Sequence, residues 1–183
     1  MNGLAPGFLI AMPQLGDPNF SKAVVLMIQH GEMGAMGLVL NRTAPLTLRD
    51  LARGQSITVS PSFEDENVYV GGPVEPQRGF ILHDSELVEE KHEVLPGLYL
   101  SVTMDALGPL LASDTKGHRI RFCLGYAGWG PKQLEREISQ GAWLFTEASK
   151  HQVLEGDPDG LWDATVRGMG VDPAMLLPAK GVN

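Results

Sequence analysis

Short apolar runs recur along the chain, each bounded by Gly, Pro or Asn, with helix-period segments between them. Residues 7–12 (GFLIAM) and 23–28 (AVVLMI) are unbroken apolar stretches of strand length, as expected of strands covered on both faces. Residues 37–40, 68–70, 80–82, 98–102 and 120–124 read as further strands or strand ends, and 142–145 (AWLF) adds one more. Helices are marked by their caps. Thr47 caps TLRDLARG, with Asp50 three residues on and Gly54 just past the end. Thr103 or Ser101 opens MDALGPLLAS, where Gly108-Pro109 predicts a kink or a late start. Gly130-Pro131 opens PKQLEREISQ, which closes at Gly141, and Asp157-Pro158 opens a segment through Leu161, Ala164 and Val166 that ends at Gly168 or Gly170. Residues 55–67 have no clear period and read as a mobile loop. The elements intermix without the strand–helix alternation of a doubly wound sheet. An α+β fold with a mixed or largely antiparallel sheet is therefore predicted.

At 183 residues the chain fits one domain, 1–183. Folding at that size buries roughly 70% of the unfolded surface, enough for a core without disulfides or a structural metal. Fourteen Lys+Arg against 22 Asp+Glu give a net charge of −8. Such a chain draws no polyanion at long range, which argues against direct nucleic-acid binding. The densest basic cluster, Lys116, His118, Arg119 and Arg121, reads as a solvated strand edge that blocks edge-to-edge pairing. A single cysteine, Cys123, suits a reducing compartment. No Lys or Arg precedes Lys22, so the basic start of a secretory signal is missing. The longest purely apolar run, 23–28, is far below the ~20 residues of a membrane span. The expectation is a cytoplasmic protein without a membrane partner.

Candidate chemistry gathers where strands hand over to loops, the usual seat of binding residues. Gly31, Gly34 and Gly37 are not spaced as a dinucleotide fingerprint, and a strand follows them rather than a helix, so a wide connection between two strands is expected. His30, directly before that loop, is either an acid/base or ligand group or an imidazole bonded to loop backbone. Asn41-Arg42 ends the next strand, and His30 and Asn41 would converge on one mouth if they flank the same loop. In GGPVEPQRGFILH, Gly71 and Gly72 permit unusual dihedrals or close approach. Arg78 offers a fork for carboxylate or phosphate, with a local ion pair as the plain alternative, and His83 stands at the far strand end. In GYAGWGPKQLEREI, Trp129 either lines a pocket or packs as a hinge before a helix. Gln133 and Glu137 form an i,i+4 pair on that helix.

No nucleophile elbow, no H-E-x-x-H and no cysteine pair is present, so neither a metal nor a cofactor is expected. Cys123 alternates with Phe122 and Leu124 and reads as an inert core thiol.

Four blocks in order, GFLIAMPQLGDPNF, HGEMGAMGLVLNR, GGPVEPQRGFILH and GYAGWGPKQLEREI, resemble the signature blocks of the YqgE/AlgH family of bacterial proteins. The resemblance runs from about residue 7 to the C-terminal GMGVDPAML. It implies a single α+β domain whose bifurcated sheet has a small barrel-like portion surrounded by helices. Some members carry the label of transcriptional regulator, although no DNA-binding motif goes with it. This chain departs from the pattern at Thr43, where proline often follows Asn-Arg, and at Lys132, where glycine often follows Gly-Pro. The reading favoured by the residues is a binding module for a small anionic ligand or a partner's acidic segment, using His30, Asn41, Arg42, Gly71, Gly72, Arg78, His83, Trp129 and Gln133. Indirect regulation of transcription is one alternative. An enzyme built around His30 or His83 is the other, with the balance against it.

Overall fold

Ten strands carry the fold in the computed structural model, which describes residues 3–112 and 117–176. They are β1 (Gly7–Ala11), β2 (Val24–Gly31), β3 (Gly34–Val39), β4 (Thr43–Thr47), β5 (Asn67–Val70), β6 (Val74–His83), β7 (His92–Leu95), β8 (Leu98–Ser101), β9 (Ile120–Trp129) and β10 (Trp143–Thr146). Five short α-helices accompany them among the described residues: α1 (Leu48–Arg53), α2 (Leu107–Ala112), α3 (Gln133–Ser139), α4 (Lys150–Glu155) and α5 (Leu161–Gly168).

The strands join in one sheet of order β10-β1-β2-β3-β9-β6-β8-β7, antiparallel along this path. β5 runs parallel to β9 through Tyr69↔Cys123 and Val70↔Leu124, and β4 pairs with β5. β9 is where the sheet divides. Its Ala127 and Trp129 pair with β3, whereas its Cys123 and Leu124 pair with β5 on one side and with β6 on the other. The sheet curls into a half-barrel with helices around it, the bifurcated α+β architecture that the resemblance implied.

Alternation along the strands sorts the core onto two faces. Phe8, Ile10, Leu26 and Leu38 point to one side, where α5 covers them with Leu161, Trp162 and Val166. Leu9, Val25, Met27, Trp129 and Trp143 point to the other, where Leu134 of α3 packs. A third cluster under α1 and α2 joins Leu48, Phe63, Ile81, Leu107 and Phe122. Coverage on both faces is why β1 and β2 read as unbroken apolar runs.

Thr47 and Asp50 form the predicted reciprocal cap of α1: the Asp50 N–H donates to Thr47 Oγ1 at 3.3 Å and the Thr47 N–H to Asp50 Oδ2 at 3.0 Å. Other expectations need correction. The glycine loop is not wide, because β2 and β3 extend to a Gly31↔Gly34 pair and leave only Glu32-Met33 as the turn. Residues 55–67 are pinned rather than loose: Phe63 is 3% exposed, the Leu48 N–H donates to Glu66 O (2.8 Å) and the Ser60 N–H to Leu111 O (2.7 Å). The basic cluster is no sheet edge, since β9 lies mid-sheet. His118 donates through Nε2 to Leu110 O at 2.7 Å, Arg119 pairs with Glu155 at 3.4 Å, and Arg121 donates to Leu154 O (3.2 Å) and Gly156 O (2.7 Å). Lys116 lies outside the described residues.

α2 starts late, at Leu107 after a 3-10 turn, as Gly108-Pro109 suggested. α3 begins at Gln133 rather than Pro131, because Lys132 takes a left-handed φ of +64°. That conformation presses a Cβ against the following carbonyl. Lys132→Gly is therefore expected to stabilise the fold by roughly 1 kcal/mol, the strain relief being partly offset by glycine's greater freedom when unfolded. A denaturant midpoint that stays put or falls would refute this.

Candidate functional site

β6 enters the sheet through an excursion. Between the pairs Val74↔Tyr126 and Gly79↔Leu124, residues 75–78 on β6 stand opposite Gly125 alone on β9. The extra chain folds over Gly125, whose φ is +75° and where a Cβ would lie 3.1 Å from Val74 O and 3.2 Å from Pro76 Cα. Glu75 itself adopts a left-handed φ of +46°. The excursion ends on Arg78, whose guanidinium sits 5.2 Å over the Phe80 ring and pairs with Glu75 Oε2 at 3.3 Å. Both partners are half exposed.

Beside Arg78 opens a cleft of about 410 Å³. Its apolar wall comes from Ile28, Met36, Phe80, Leu100 and Val102, and its polar rim from Gln29, His92 and Glu93. A second lobe of about 490 Å³ shares Gln29 and Met36 with the first and runs along β3 and β9, past Val74 and Tyr126, over Gly128. A mostly apolar concavity with a few convergent polar groups is the usual form of a small-ligand site.

The structure distributes the sequence-predicted residues over several places. Arg78 stands at the cleft. Gly71 and Gly72 bind the root of the excursion to β9. The Gly71 N–H donates to Leu124 O, and its carbonyl accepts from the Val39 N–H, both at 2.8 Å. A Cβ at Gly72 would overlap the backbone of Tyr126 and Ala127.

His30 belongs to the opposite face, near α3. Its Nδ1 accepts from the Leu4 N–H at 3.0 Å and its Nε2–H donates to Glu135 Oε1 at 2.7 Å, which selects one neutral tautomer. The Glu135 carboxyl is held below its ordinary range by a backbone N–H at the helix start and by the His30 bond. Trp129 is 7% exposed and packs near Phe20 and Trp143, with ring centroids 6.4 and 5.7 Å away. Glu137 Oε2 accepts from both indoles, Trp129 Nε1 at 2.7 Å and Trp143 Nε1 at 3.2 Å. Gln133 Oε1 accepts from the Gly130 N–H at 3.0 Å. His30, Trp129 and Gln133 thus come together at the joint between β9 and α3.

Asn41 and Arg42 do not share a mouth with His30. His30 stands at the turn end of the β2–β3 hairpin, paired with Ala35, whereas Asn41 follows β3 at the far end, beside Val24. Asn41 Oδ1 accepts from the Val24 N–H (3.0 Å) and its Nδ2 donates to Lys22 O (2.8 Å), while Arg42 donates to Ser21 O (3.1 Å). Together they hold the segment that walls a separate cleft of about 390 Å³, floored by Met12, Phe20 and Trp162.

His83 is 0% exposed. Its Nδ1 accepts from the Ser85 N–H at 3.2 Å, and its Nε2–H donates to Ser101 Oγ at 2.9 Å, which in turn donates to Glu90 O at 2.6 Å. Burial above all pushes the imidazole down to about 4. Cys123 is sealed too, and burial pushes its thiol up to about 12, the inert core thiol that the alternation predicted. Among the described residues no cluster of His, Cys, Asp and Glu could hold a metal ion, and no helix is long and apolar enough to cross a membrane. The cleft walls are not visible in the sequence because Ile28, Met36, Phe80 and Leu100 carry the apolar signal of any core position. Gly128, within GYAGWG, is the one trace that the sequence shows.

The family model described as AlgH-like (DUF179) matches residues 8–174. A UPF0301 protein of Myxococcus xanthus is 63% identical, with 100% of both chains covered, and one of Paracoccus denitrificans is 38% identical over 98% of this chain and 97% of its own. The solution structure of the AlgH protein from Pseudomonas aeruginosa, 36% identical, covers 100% of this chain and 97% of that one with a TM-score of 0.77. A crystal structure from Corynebacterium diphtheriae, 20% identical with a TM-score of 0.70 over 92% and 87% of the two chains, shares the fold.

Proposed function

The chain belongs to the AlgH-like family, and from that premise we propose that it is a cytoplasmic binding module that holds a small amphipathic anion in the cleft beside Arg78. One observation carries the reading: a guanidinium stands at the rim of a 410 Å³ apolar cleft, and its ion-pair partner is the exposed Glu75. An exposed pair of this kind contributes only about 0–1 kcal/mol, so exchanging Glu75 for a ligand's anionic group costs little. A carboxylate or phosphate would meet the planar fork with two parallel hydrogen bonds, stronger next to an apolar wall than in open water. The attached apolar part would then cover Ile28, Met36, Phe80 and Leu100. The arginines of the basic cluster are tied into the fold, which favours a role without direct nucleic-acid contact.

Calorimetric titration with decanoate tests the reading. Wild-type protein is expected to bind, and Arg78→Ala to weaken binding about tenfold or more, on the ~1.5–3 kcal/mol of a charged hydrogen bond. The unfolding midpoint should be unchanged, because Arg78 is half exposed. Equal affinity in the two proteins, or no binding by either, rejects the proposal.

A further inference from the structure

We infer that the second lobe seats a planar aromatic group of the same ligand on the bare backbone at Gly128, which makes the ligand class an aryl-bearing anion. This inference rests on the proposed anion site at Arg78 and extends it.

Gly128 lies inside β9, paired with Met36 of β3 and exposed to the lobe. Glycine weakens a strand interior, and where it stands there some other backbone or a ligand usually comes close. Three nearby glycines have such a reason within the chain. Gly71 abuts Gly125 O, Gly72 abuts Tyr126, and Gly34 abuts Trp129 O. Gly128 has none. A Cβ there would meet Tyr126 Cε2 at 3.4 Å and Val74 Cγ2 at 3.7 Å, ordinary contacts, and its φ is not left-handed. What Gly128 keeps clear is the floor of the lobe.

The surroundings select what lies on that floor. Met36 and Gly128 stand opposite each other in the antiparallel β3–β9 ladder, so the floor is a flat stretch of extended backbone. Met33, 88% exposed at the β2–β3 turn, and Met36 flank it with polarizable thioethers, which favour aromatic neighbours. The Tyr126 ring borders the lobe and meets Phe80 edge-on, centroids 5.8 Å apart, and Phe80 carries the Arg78 guanidinium. A continuous aromatic line thus joins the anion anchor to the Gly128 floor. A flat ring reaches the backbone there, and an aliphatic chain gains less from a flat surface.

Two probes separate this inference from the reading beneath it: 1-anilinonaphthalene-8-sulfonate as an aryl anion and decanoate as an aliphatic one. Each is titrated against wild type, Arg78→Ala and Gly128→Val. The inference expects Gly128→Val to weaken the aryl probe about tenfold while decanoate changes less than about threefold, and Arg78→Ala to weaken both about tenfold. The thermal midpoint of Gly128→Val should stay equal or rise, since valine suits a strand. If Gly128→Val fails to fold, Gly128→Ala replaces it, adding only a methyl. Decanoate binding that depends on Arg78, with the aryl probe unaffected at Gly128, overturns the inference alone. Loss of Arg78 dependence for decanoate, or no decanoate binding, removes both.

Discussion

Gly72→Ala is expected to cost more than about 4 kcal/mol, enough to leave little folded protein at physiological temperature, because the clash falls on backbone that cannot yield. The Gly72 φ is +155°. The added methyl would overlap the Tyr126 carbonyl and the Ala127 nitrogen. Those atoms are held on both sides, Tyr126 opposite Val74 of β6 and Ala127 opposite Gly37 of β3. Relief would require reopening the sheet at the point where it divides. Soluble yield and a urea midpoint measure the effect, with Gly128→Ala as a control two residues beyond Tyr126 that should fold normally. A Gly72→Ala protein with the wild-type midpoint would show that the two backbones are not packed this closely.

The second large effect is a loss of stability in mild acid. His83 has its imidazole lowered to about 4 in the folded protein, against an ordinary value near 6.5, because the charged form would be buried and would lose the Nδ1 acceptor for Ser85 N–H. Above pH ~6.5 both folded and unfolded chains keep it neutral and the full stability is present. As pH falls from there towards 4, the unfolded chain takes up a proton that the folded one refuses, so stability declines. Below about 4 both states are protonated and the decline from this group ends. A tenfold difference in proton affinity between the two states is worth about 1.4 kcal/mol, so the loss over this window is on the order of 3 kcal/mol. Urea unfolding at pH 7.5, 6 and 5 should trace the decline, and His83→Asn, whose carbonyl can still accept near Ser85, should flatten it. An NMR titration that puts His83 near 6.5 would sink the prediction.

Arg78, the anchor of the proposed site, could be singled out from the sequence, but the walls of the cleft could not. Arg78 stood out because its planar fork, suited to carboxylate or phosphate, follows Gly71-Gly72-Pro73 on a loop. The other marked polar residues turned out to serve the joints of the fold: Asn41 and Arg42 hold the segment before β2, Gln133 the turn into α3, and His83 the Ser85–Ser101 network. A side chain's type and its place at a strand end cannot distinguish a group that meets a ligand from one that meets backbone many residues away. Two strands also escaped. β4 contains Pro45, and β7 lies at the end of the sheet with His92 and Glu93 exposed. Edge strands bury too little to write a strong apolar pattern.

What the sequence determined by itself was whatever depends on neighbours along the chain. The period of the apolar runs placed β1 and β2, the Thr47–Asp50 pair placed α1, and the mixture of elements set the α+β class. The tertiary structure decided whatever depends on distant chain. It made β9 the strand on which the sheet divides, turned residues 75–78 into an excursion over Gly125, and separated His30 from Asn41. It also distinguished Gly72, required by backbone more than fifty residues away, from Gly128, where an added Cβ would make only ordinary contacts among the described residues. Local preferences act over a few residues, whereas register and close approach arise only once strands far apart in sequence have paired.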